Sequence, residues 1–273
     1  MTSSAARGSP RAKRLDRIAR AGQYLSRNGV RWTAYAALFG LLTRANHAVY
    51  QGMVRLERRH ALSGRNSVEN NYRVWDTWDW SQGGEEWTQS EEWKQSLIDD
   101  VIRAQLVPQT TMLEIGPGAG RWTKPLLEMA SHLVVVDLSD RCIALCRERF
   151  SGAPNIEFHV NDGRSLTAIP SDSIDGVWSF DVFVHIAPPD VDSYLAEIHR
   201  VLRPGGRAVI HHGRDGHEHF AADAGWRSGM TADLFAEMLR KHGLKLRGQF
   251  DSWGPGGRFN VRRHRDTLSV FTK

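Results

Sequence analysis

The stretch that decides the fold is Leu113-Glu114-Ile115-Gly116-Pro117-Gly118-Ala119-Gly120, in which a short apolar run leads directly into a glycine-rich segment. A run of this kind predicts a buried strand followed by a turn into a helix. Glycine is favoured in such a turn because a Cβ atom would obstruct the close approach of the backbone to a ligand. A glycine-rich turn is a weak signal by itself.

Asp137 supports a ligand site at this turn. It ends the next apolar run, 21 residues after Gly116, where a carboxylate can accept hydrogen bonds from both ribose hydroxyls of a nucleoside. Arg121 stands where a dinucleotide-binding turn has its third small residue, which disfavours a helix packed against a pyrophosphate. The glycines and Asp137 together predict a nucleoside-containing cofactor at the switch point of a parallel sheet.

Strands and helices alternate through the rest of the chain. Short apolar runs predict seven strands, at 110–115, 133–137, 156–160, 176–180, 207–211, 244–250 and 267–271. Longer stretches between them predict helices at 119–130, 141–150, 191–202 and 231–242. Pro204-Gly205-Gly206 is expected to end the third of these helices. This alternation predicts a doubly wound α/β sheet.

The same part of the chain, residues 105–273, resembles the class I S-adenosylmethionine-dependent methyltransferases. The resemblance rests on five motifs that occur in the order that this family shows. They are Glu114-Ile115-Gly116-Pro117-Gly118-Ala119-Gly120, Val135-Val136-Asp137, Asn161-Asp162-Gly163, Ser179-Phe180-Asp181 and Leu202-Arg203-Pro204-Gly205-Gly206. The fold that the resemblance implies is a mostly parallel, seven-stranded, Rossmann-like sheet.

The resemblance also implies S-adenosylmethionine as the cofactor and S-adenosylhomocysteine as its product. It implies Gly116 and Gly118 beside the methionine portion, with Glu114 supporting the ammonium group. Asp137 is then the ribose ligand, and Asp162 the partner of the adenine amino group. The other residues that the resemblance implies around the cofactor are Gly120, Leu138, Asn161, Gly163, Ser179 and Phe180.

Candidates for proton transfer follow the fourth strand and end the fifth. Methyl transfer from a sulfonium is an in-line displacement, so the alignment of donor and acceptor matters most. A hydroxyl acceptor must also lose a proton, which a neutral histidine can accept near neutral pH. We therefore predict His185, His211 and His212 as candidate general bases, with only one of the adjacent pair facing the pocket. Asp181 is expected to bind the acceptor or to orient one of these rings.

The motif after the fourth strand favours a hydroxyl acceptor. It reads Ser179-Phe180-Asp181-Val182-Phe183, whereas the family uses an Asn-Pro-Pro-Tyr motif on planar amino groups. We therefore expect O-methylation of a small molecule, in particular a sugar, glycan precursor or polyol-like metabolite. A lipid or quinone acceptor at a membrane surface is the alternative within this class. A nicotinamide oxidoreductase and a non-catalytic module that binds S-adenosylmethionine are the alternatives outside it.

Five of the ten tryptophans fall between Trp75 and Trp93. Their indole rings can cover a cofactor and offer flat faces to a sugar ring or another flat apolar body. We predict Trp80 and Trp87 as acceptor-binding residues, together with Arg227 in a later loop. The alternative is that the tryptophans only seal the N-terminal part of the chain against the sheet.

The segment 211–219 contains four histidines and raises the question of a metal. Their spacing matches no standard zinc pattern, and a solvated polar loop explains the composition more simply. No metal is predicted.

Positive charge is concentrated near the N-terminus. Residues 1–60 carry 12 Lys and Arg against Asp16 and Glu57, whereas the rest of the chain carries 24 basic and 29 acidic residues. A nucleic-acid enzyme would more usually place its basic residues near its chemistry, so we expect a small-molecule acceptor and no nucleic-acid partner.

The basic segment is predicted to be a helical arm. Residues 11–28 read as an amphipathic helix, and an uncharged aromatic run at 32–43 follows the Asn28-Gly29 break. Such an arm suits peripheral contact with a membrane, and it equally suits packing on the sheet domain or homodimerisation.

The predicted organisation is a disordered tail (1–10), the basic arm (11–60), a tryptophan-rich lid with a linking helix (61–104) and the cofactor-binding domain (105–273). Cys142 and Cys146 are spaced for neither a disulfide framework nor a zinc site. The first nine residues lack the apolar run of a signal peptide, and no stretch reaches the roughly 20 apolar residues of a membrane span. A cytoplasmic location is therefore expected, with the arm as a candidate for peripheral membrane contact.

Overall fold

The computed structural model describes residues 10–60, 62, 64–216, 220–221 and 225–273. Residues 1–9 of the predicted tail, and His217 and His219 of the histidine-rich segment, lie outside these described residues. The chain divides into two compact units, Met1–Leu62 and Ser63–Lys273, and each is described by itself.

The first unit contains a helix, α1 (Pro10–His60), that is interrupted at Gly29. Gly29 has a φ of 77° and a ψ of 172°, a conformation that glycine adopts without steric cost because it has no Cβ atom. The interruption lies at the Asn28-Gly29 break that the sequence predicts. Beyond it, large apolar side chains such as Tyr35 and Phe39 are exposed. Among the described residues, no helix combines the length and the apolar character that crossing a membrane would require.

The second unit contains all eleven strands of the described residues. In chain order they are β1 (Thr111–Ile115), β2 (His132–Asp137), β3 (Ile156–Val160), β4 (Ile174–Ser179), β5 (Leu202–Gly213), β6 (Phe220–Ala221), β7 (Gly225–Trp226), β8 (Lys245–Phe250), β9 (Ser252–Trp253), β10 (Phe259–Asn260) and β11 (Asp266–Thr272). Seven of them form one sheet in the order β3-β2-β1-β4-β5-β11-β8. Strands β1 to β5 run parallel, and β11 is antiparallel to both of its neighbours.

Helices cover both faces of this sheet. They are α2 (Val68–Thr77), α3 (Glu91–Ser96), α4 (Arg103–Gln105), α5 (Thr123–Met129), α6 (Asp140–Arg149), α7 (Pro188–Val201) and α8 (Ala232–Lys241), with a π-helical turn at Leu97–Ile102 between α3 and α4. Alternate strand residues enter two separate cores: Leu113 and Ile115 pack with α7 and α8, whereas Met112 packs with α5 and the π-helical turn. The doubly wound α/β sheet predicted from the sequence is therefore confirmed.

Two elements begin four residues or more from their predicted starts. Helix α5 begins at Thr123 rather than at 119, because residues 116–122 are used by the turn that follows β1. Strand β5 begins at Leu202 rather than at 207, so that Pro204-Gly205-Gly206 lies within the strand and not in a loop after α7. The sheet places the carboxyl ends of β1, β2, β4 and β5 at one edge, where an open α/β sheet binds its ligands.

Candidate functional site

A cavity of about 260 Å³ lies at this edge of the sheet, entirely within the second unit. Its walls include the glycine turn after β1, Asp137 at the end of β2, the segment after β4, and His211 near the end of β5. Residues between 66 and 93 cover it and contribute several indole rings; we call this segment the tryptophan-rich cover. The segment that the sequence predicts to be a lid and the predicted cofactor site therefore meet in one cavity.

At two positions of the glycine turn, the neighbouring residues leave room for a hydrogen atom but not for a Cβ atom. Gly116 has a φ of 74° and Gly118 a φ of 57°, in the left-handed region that side chains disfavour. A Cβ atom at Gly116 would lie 2.4 Å from Cγ2 of Val182, and one at Gly118 would lie 2.7 Å from the Trp80 ring. The turn is therefore fitted between the segment after β4 and the tryptophan-rich cover.

Asp137 is held against the same turn. Its Oδ1 atom accepts a hydrogen bond of 2.9 Å from the backbone N–H of Ser139, and its Oδ2 atom accepts one of 3.4 Å from that of Gly118. Burial raises the pKa of Asp137 to about 6, although these backbone hydrogen bonds favour the ionised form. The carboxylate is thus fixed in place while it still lines the cavity.

Glu114 lies behind the turn, in β1, and is 1% exposed. Its Oε2 atom accepts a hydrogen bond of 2.6 Å from the hydroxyl of Thr123. Burial raises the pKa of Glu114 to about 8, and the negative charge of Asp137 adds to this effect. A cation bound nearby would favour the ionised form of this carboxyl group.

The opposite part of the cavity is lined by a continuous polar array. Its members are Arg121, Asp181, His185, His211, Arg227 and Asp266. Arg121 Nη2 lies 2.6 Å from Asp181 Oδ2, and Asp181 Oδ1 lies 3.2 Å from His211 Nδ1. On the other side of the ring, His211 Nε2 lies 3.5 Å from Asp266 Oδ2. His211 is therefore placed between two carboxyl groups.

Arg227 completes the array. Its Nη2 atom donates a hydrogen bond of 3.0 Å to Asp266 Oδ2, and its Nη1 atom lies 3.2 Å from Nε2 of His185. Because a guanidinium group can only donate, His185 Nε2 acts here as an acceptor. Burial raises the pKa of Asp266, against the favourable charges of His211 and Arg227.

Asp181 is the member that reaches the cavity most openly. Its side chain is 24% exposed, whereas those of Arg121, His211, Arg227 and Asp266 are at most 6% exposed. Burial alone would raise its pKa, but the hydrogen bond that the protonated form of His211 donates and the charge of Arg121 outweigh this effect and hold the pKa well below its ordinary value. Asp181 therefore presents an ionised carboxylate to the cavity.

The contacts of His211 define its tautomer. The backbone N–H of Asp181 donates a hydrogen bond of 3.1 Å to Nδ1 of His211, so Nδ1 carries a lone pair and the proton of the neutral ring is on Nε2. The ring is stacked on Phe180, with 4.2 Å between the centroids. Its basic nitrogen therefore faces Asp181.

Aromatic rings cover the cavity. Trp75 packs against Trp80 and Trp87, with ring centroids 6.2 Å and 6.0 Å away, and against His185 at 5.0 Å. The indole N–H of Trp80 donates to the backbone oxygen of Trp75 at 2.9 Å, so that the polar edge of the Trp80 ring has its partner among these residues. The predicted acceptor-binding residues Trp80, Trp87 and Arg227 all line the cavity.

The cover is tied to the segment after β4 by two amide side chains. Asn66 and Asn71 each donate a hydrogen bond of 2.9 Å to the backbone oxygen of His185. Ser67 caps the N-terminus of α2 between them. The covering residues therefore hold a defined position relative to the polar array.

A family model described as a methyltransferase domain matches residues 113–210, which run from β1 into β5. The solved structure of a TehB-like S-adenosylmethionine-dependent methyltransferase from Corynebacterium glutamicum is similar, with a TM-score of 0.51, 25% identity, and coverage of 76% of this chain and 97% of that one. Residues 113–210 therefore match a methyltransferase domain, and the second unit has a fold similar to that of S-adenosylmethionine-dependent methyltransferases. The resemblance found in the sequence motifs is thereby confirmed.

Relatives of this methyltransferase domain act on different acceptors. A ribosomal RNA small subunit methyltransferase A of Dehalococcoides mccartyi is 35% identical over 69 residues, which are 25% of this chain and 24% of that protein. A ubiquinone biosynthesis O-methyltransferase of Paramagnetospirillum magneticum is 31% identical over 98 residues, which are 35% of this chain and 37% of that protein. The chain thus spans well under half the length of these relatives. Because the relatives act on different acceptors, sequence similarity to them does not identify the acceptor of this chain.

The described residues fit S-adenosylmethionine, the cofactor of the family. The turn at Gly116 and Gly118 leaves no space for side chains, and Asp137 offers a fixed carboxylate beside it. A structure of phosphoethanolamine N-methyltransferase 1 from Haemonchus contortus with S-adenosylhomocysteine shares the fold, with a TM-score of 0.56, 19% identity, and coverage of 76% of this chain and 48% of that one. Three more of the residues that the sequence predicts around the cofactor also line the cavity: Leu138, Gly163 and Phe180.

Several residues that the family resemblance implies around the cofactor instead support the loops of the site. Asp162 Oδ1 accepts hydrogen bonds from the backbone N–H groups of Arg164 and Ser165, so it caps a turn. The Asn161 side chain is bonded within the same loop and to the Tyr194 hydroxyl. Neither residue lines the cavity.

Ser179 and Gly120 also lie outside the cavity wall. The Ser179 hydroxyl donates a hydrogen bond of 2.8 Å to the backbone oxygen of Ile115, which ties β4 to β1. A Cβ atom at Gly120 would lie 2.6 Å from the Phe150 ring, so this glycine is required by the packing of the turn on the end of α6. The structure thus shows a supporting role for each residue, and their contacts with the cofactor stay predictions.

His212 is wrong as a candidate base. Its ring is fully buried on the other face of the sheet, stacked on Phe235 with 3.8 Å between the centroids. Its nitrogens contact the Ser269 hydroxyl at 2.7 Å and the backbone oxygen of Gly213 at 2.8 Å. Burial lowers the pKa of His212 to about 3, so it stays neutral. As expected for alternating strand residues, only His211 of this pair reaches the cavity.

His185 lines the cavity, but the structure contradicts a base at its Nε2 atom. That nitrogen already accepts from Arg227, so its lone pair is not available to an acceptor hydroxyl. Among the described residues, no group of three His, Cys, Asp or Glu side chains is arranged to hold a metal ion. Cys142 and Cys146 are both buried free thiols.

Sequence reasoning missed two members of the array, Arg121 and Asp266. In the sequence, Arg121 argues against a dinucleotide, and an arginine directly after the glycine turn is also a signal for a charged site. Asp266 begins β11, and it meets the array because β11 pairs antiparallel with β5, which sets Asp266 opposite Gly213. No local motif marks it.

Proposed function

We propose that the protein transfers the methyl group of S-adenosylmethionine to a hydroxyl group of a small molecule bound between the polar array and the tryptophan-rich cover. The observation that carries this proposal is Asp181, an ionised and partly exposed carboxylate backed by the basic nitrogen of His211. It lies in the same cavity as the glycine turn and Asp137.

Asp137 and the turn at Gly116 and Gly118 would hold the cofactor, which supplies a methyl group already activated for displacement. The main task of the protein is then to bring the acceptor oxygen into line with that methyl group. Asp181 accepts a hydrogen bond from the acceptor hydroxyl and so fixes the direction of its lone pair. Arg121 holds the Asp181 carboxylate in place through a contact of 2.6 Å.

The hydroxyl proton leaves through the array as the new C–O bond forms. It passes to Asp181, whose Oδ1 atom lies 3.2 Å from the lone pair of His211 Nδ1. The resulting imidazolium lies between two carboxyl groups, because Nε2 of the same ring faces Asp266 at 3.5 Å. His211 therefore acts as the final proton acceptor, and Asp181 as the group that touches the substrate.

A sugar or another polyol fits this arrangement best. Carboxylate and guanidinium groups together accept from and donate to several hydroxyls. The indole faces of Trp75, Trp80 and Trp87 match the apolar face of a pyranose ring. The covered cavity also suits a small molecule better than a polymer.

The test is methyl transfer from an isotopically labelled donor to a panel of acceptors, with products identified by mass spectrometry. The panel contains sugars, polyols, a quinol, an amine and ribosomal RNA. Transfer to a sugar or polyol is expected, and it should be lost in Asp181→Asn and kept in Asp233→Asn, an exposed aspartate of α8. Transfer only to the amine or RNA would overturn the hydroxyl assignment.

Cofactor binding is tested separately, by calorimetric titration with S-adenosylhomocysteine and with NAD. Binding of S-adenosylhomocysteine is expected, and Asp137→Asn should weaken it. Binding of NAD without S-adenosylhomocysteine would instead indicate an oxidoreductase. Binding of S-adenosylhomocysteine with no transfer to any class of acceptor would indicate a non-catalytic module.

A further inference from the structure

The first unit carries a long stripe of exposed apolar side chains. After the interruption at Gly29, helix α1 exposes Trp32 by 48%, Tyr35 by 73%, Phe39 by 74% and Leu42 by 58%. Steps of three and four residues place these side chains on one side of a helix. After the polar Asn46, Val49, Met53 and Leu56 continue on the same side and are 63%, 41% and 55% exposed. The stripe therefore runs from Trp32 to Leu56.

The other side of this helix is basic. At 3.6 residues per turn, Arg44, Arg55 and Arg59 fall on the side opposite Tyr35 and Leu42, and all three arginines are exposed. Within residues 32–56 the sequence contains no acidic residue. This part of α1 is therefore an amphipathic helix with an aromatic and aliphatic face and an arginine face.

Such a face suits either a second copy of the helix or a lipid surface, and its charge favours one of the two. Steps of three and four residues also suit pairing with a second copy of the helix. However, residues 1–60 carry 12 basic residues against Asp16 and Glu57, so two copies would bring like charges together. A surface of anionic lipid complements the same charge, and aromatic side chains with arginine are favoured at the boundary between headgroups and acyl chains.

We propose that α1 docks the protein on an anionic phospholipid surface, with the Trp32–Leu56 stripe inserted at the level of the headgroups and the arginines directed to the phosphates. This assignment concerns the first unit alone and holds whatever the second unit methylates.

The test is co-sedimentation of the full-length protein with vesicles of phosphatidylcholine, with and without phosphatidylglycerol. Binding is expected only when phosphatidylglycerol is present, and it should weaken as salt is added. Combined Arg44→Gln and Arg55→Gln should weaken binding about fivefold for each arginine.

Two neighbouring leucines provide a matched pair of variants. Leu42 lies on the stripe and Leu41 on the other side, and they are 58% and 62% exposed. Leu42→Ala should lower the partition coefficient about tenfold, because the side chain no longer enters the apolar layer. Leu41→Ala should change it less than about twofold, and alanine maintains the helix in both variants.

Three results would overturn the proposal. They are equal binding to neutral and anionic vesicles, equal effects of Leu41→Ala and Leu42→Ala, and absence of vesicle binding. Sedimentation velocity without lipid tests the alternative that the stripe pairs with a second copy of the chain. That alternative would hold if the protein formed a dimer that Leu42→Ala dissociates and did not bind vesicles. Unchanged affinity for S-adenosylhomocysteine shows that the second unit of each variant is folded, and an unchanged helical circular-dichroism signal shows that α1 is kept.

Discussion

At the scale of single residues, Asp181 links the end of the sheet, the polar array and the cavity. It follows β4 directly, and its φ of 60° is a conformation that few residues other than glycine, asparagine and aspartate adopt readily. Such backbone conformations are kept where the surrounding contacts demand them. Here Arg121 and His211 supply those contacts from two different elements.

Replacing Asp181 by asparagine should therefore affect the chemical step. The amide keeps the size of the side chain but cannot pass a proton to His211, so we expect kcat to fall about 100-fold to 1000-fold. Affinity for S-adenosylhomocysteine should stay within about threefold, because we assign the carboxylate that holds the cofactor to Asp137. Single-turnover kinetics and calorimetry measure the two quantities. A loss confined to cofactor affinity would place Asp181 in the cofactor site instead.

Asp137 predicts how cofactor binding depends on pH. In the ligand-free protein its pKa is raised to about 6, above the ordinary value of 3.8, so the ligand-free protein loses stability as pH rises through this window. Ribose hydroxyls donate to the ionised form, so bound cofactor favours ionisation. Affinity for S-adenosylhomocysteine should then fall about tenfold for each pH unit below about 6. Calorimetry between pH 5 and about pH 8 measures this, and a profile identical to that of Asp137→Asn would contradict it.

Replacing His212 should lower the stability of the protein and leave cofactor binding unchanged. The His212 ring fills a closed site between Phe235 and Ser269, so His212→Ala should leave a cavity and a Ser269 hydroxyl that has lost one of its two partners. We expect a loss of about 2 to 4 kcal/mol in the free energy of unfolding. The affinity for S-adenosylhomocysteine should stay unchanged. Urea unfolding gives the first quantity, and a variant of wild-type stability with impaired turnover would return His212 to the active site.

At the scale of elements, the glycine turn and the tryptophan-rich cover fit one another. Gly118→Ala would place a methyl group 2.7 Å from the Trp80 ring and force a side chain into a φ of 57°. We expect affinity for S-adenosylhomocysteine to fall at least about tenfold, because either the turn or the cover must move. Calorimetry measures this change.

Gly152→Ala is the matched control, since nothing lies within 4 Å of the added atom and its φ is not positive. Adding Trp80→Leu to Gly118→Ala separates the two causes. Partial recovery of affinity indicates the steric contact, whereas no recovery indicates backbone strain alone. An unchanged affinity in Gly118→Ala itself would show that the turn does not form the cofactor site.

The elements themselves were predictable from sequence because their signals are local. Alternating burial in β1, with Leu113 on one core and Met112 on the other, follows from the period of a strand. The turn and Asp137 follow from a fixed spacing between consecutive strands. The array was only partly predictable, since Asp266 reaches His211 through pairing between β5 and β11. Contacts made by distant strands leave no pattern in a single stretch of sequence.

Hydrogen bonding explains the roles that sequence could not assign. The same residue type at a strand end can face the cavity or support a loop: Asp181 lines the cavity, whereas Asp162 caps its own turn. His185 was a good candidate by position, and only its contact with Arg227 shows that its Nε2 lone pair is in use. These outcomes depend on side-chain partners that come from other elements.

At the scale of the whole molecule, the two units carry opposite charge. The sequence gives a balance of +10 over residues 1–60 and −5 over the rest, from 12 basic against 2 acidic and 24 basic against 29 acidic residues. The basic unit therefore suits an anionic surface, and the acidic unit contains the cavity.

The reactivity of the two cysteines of the second unit can measure how often the structure around the cavity and the glycine turn opens. Cys142 lines the cavity, and the Cys146 thiol lies 3.3 Å from the backbone oxygen of Gly118 in the glycine turn. Burial raises the pKa of both thiols, that of Cys142 to about 12, so each should react with a thiol reagent only when the surrounding structure opens.

A ligand that binds the closed form lowers the population of the open one by mass action. S-adenosylhomocysteine at about 100 times its dissociation constant should therefore slow thiol labelling about 100-fold and stabilise the second unit by about 2.7 kcal/mol. Mass spectrometry of labelled peptides gives the rate at each cysteine. In Asp137→Asn the same ligand concentration should protect far less. Rapid labelling that S-adenosylhomocysteine leaves unchanged would mean that the thiols open independently of the turn, and that the turn does not close around this ligand.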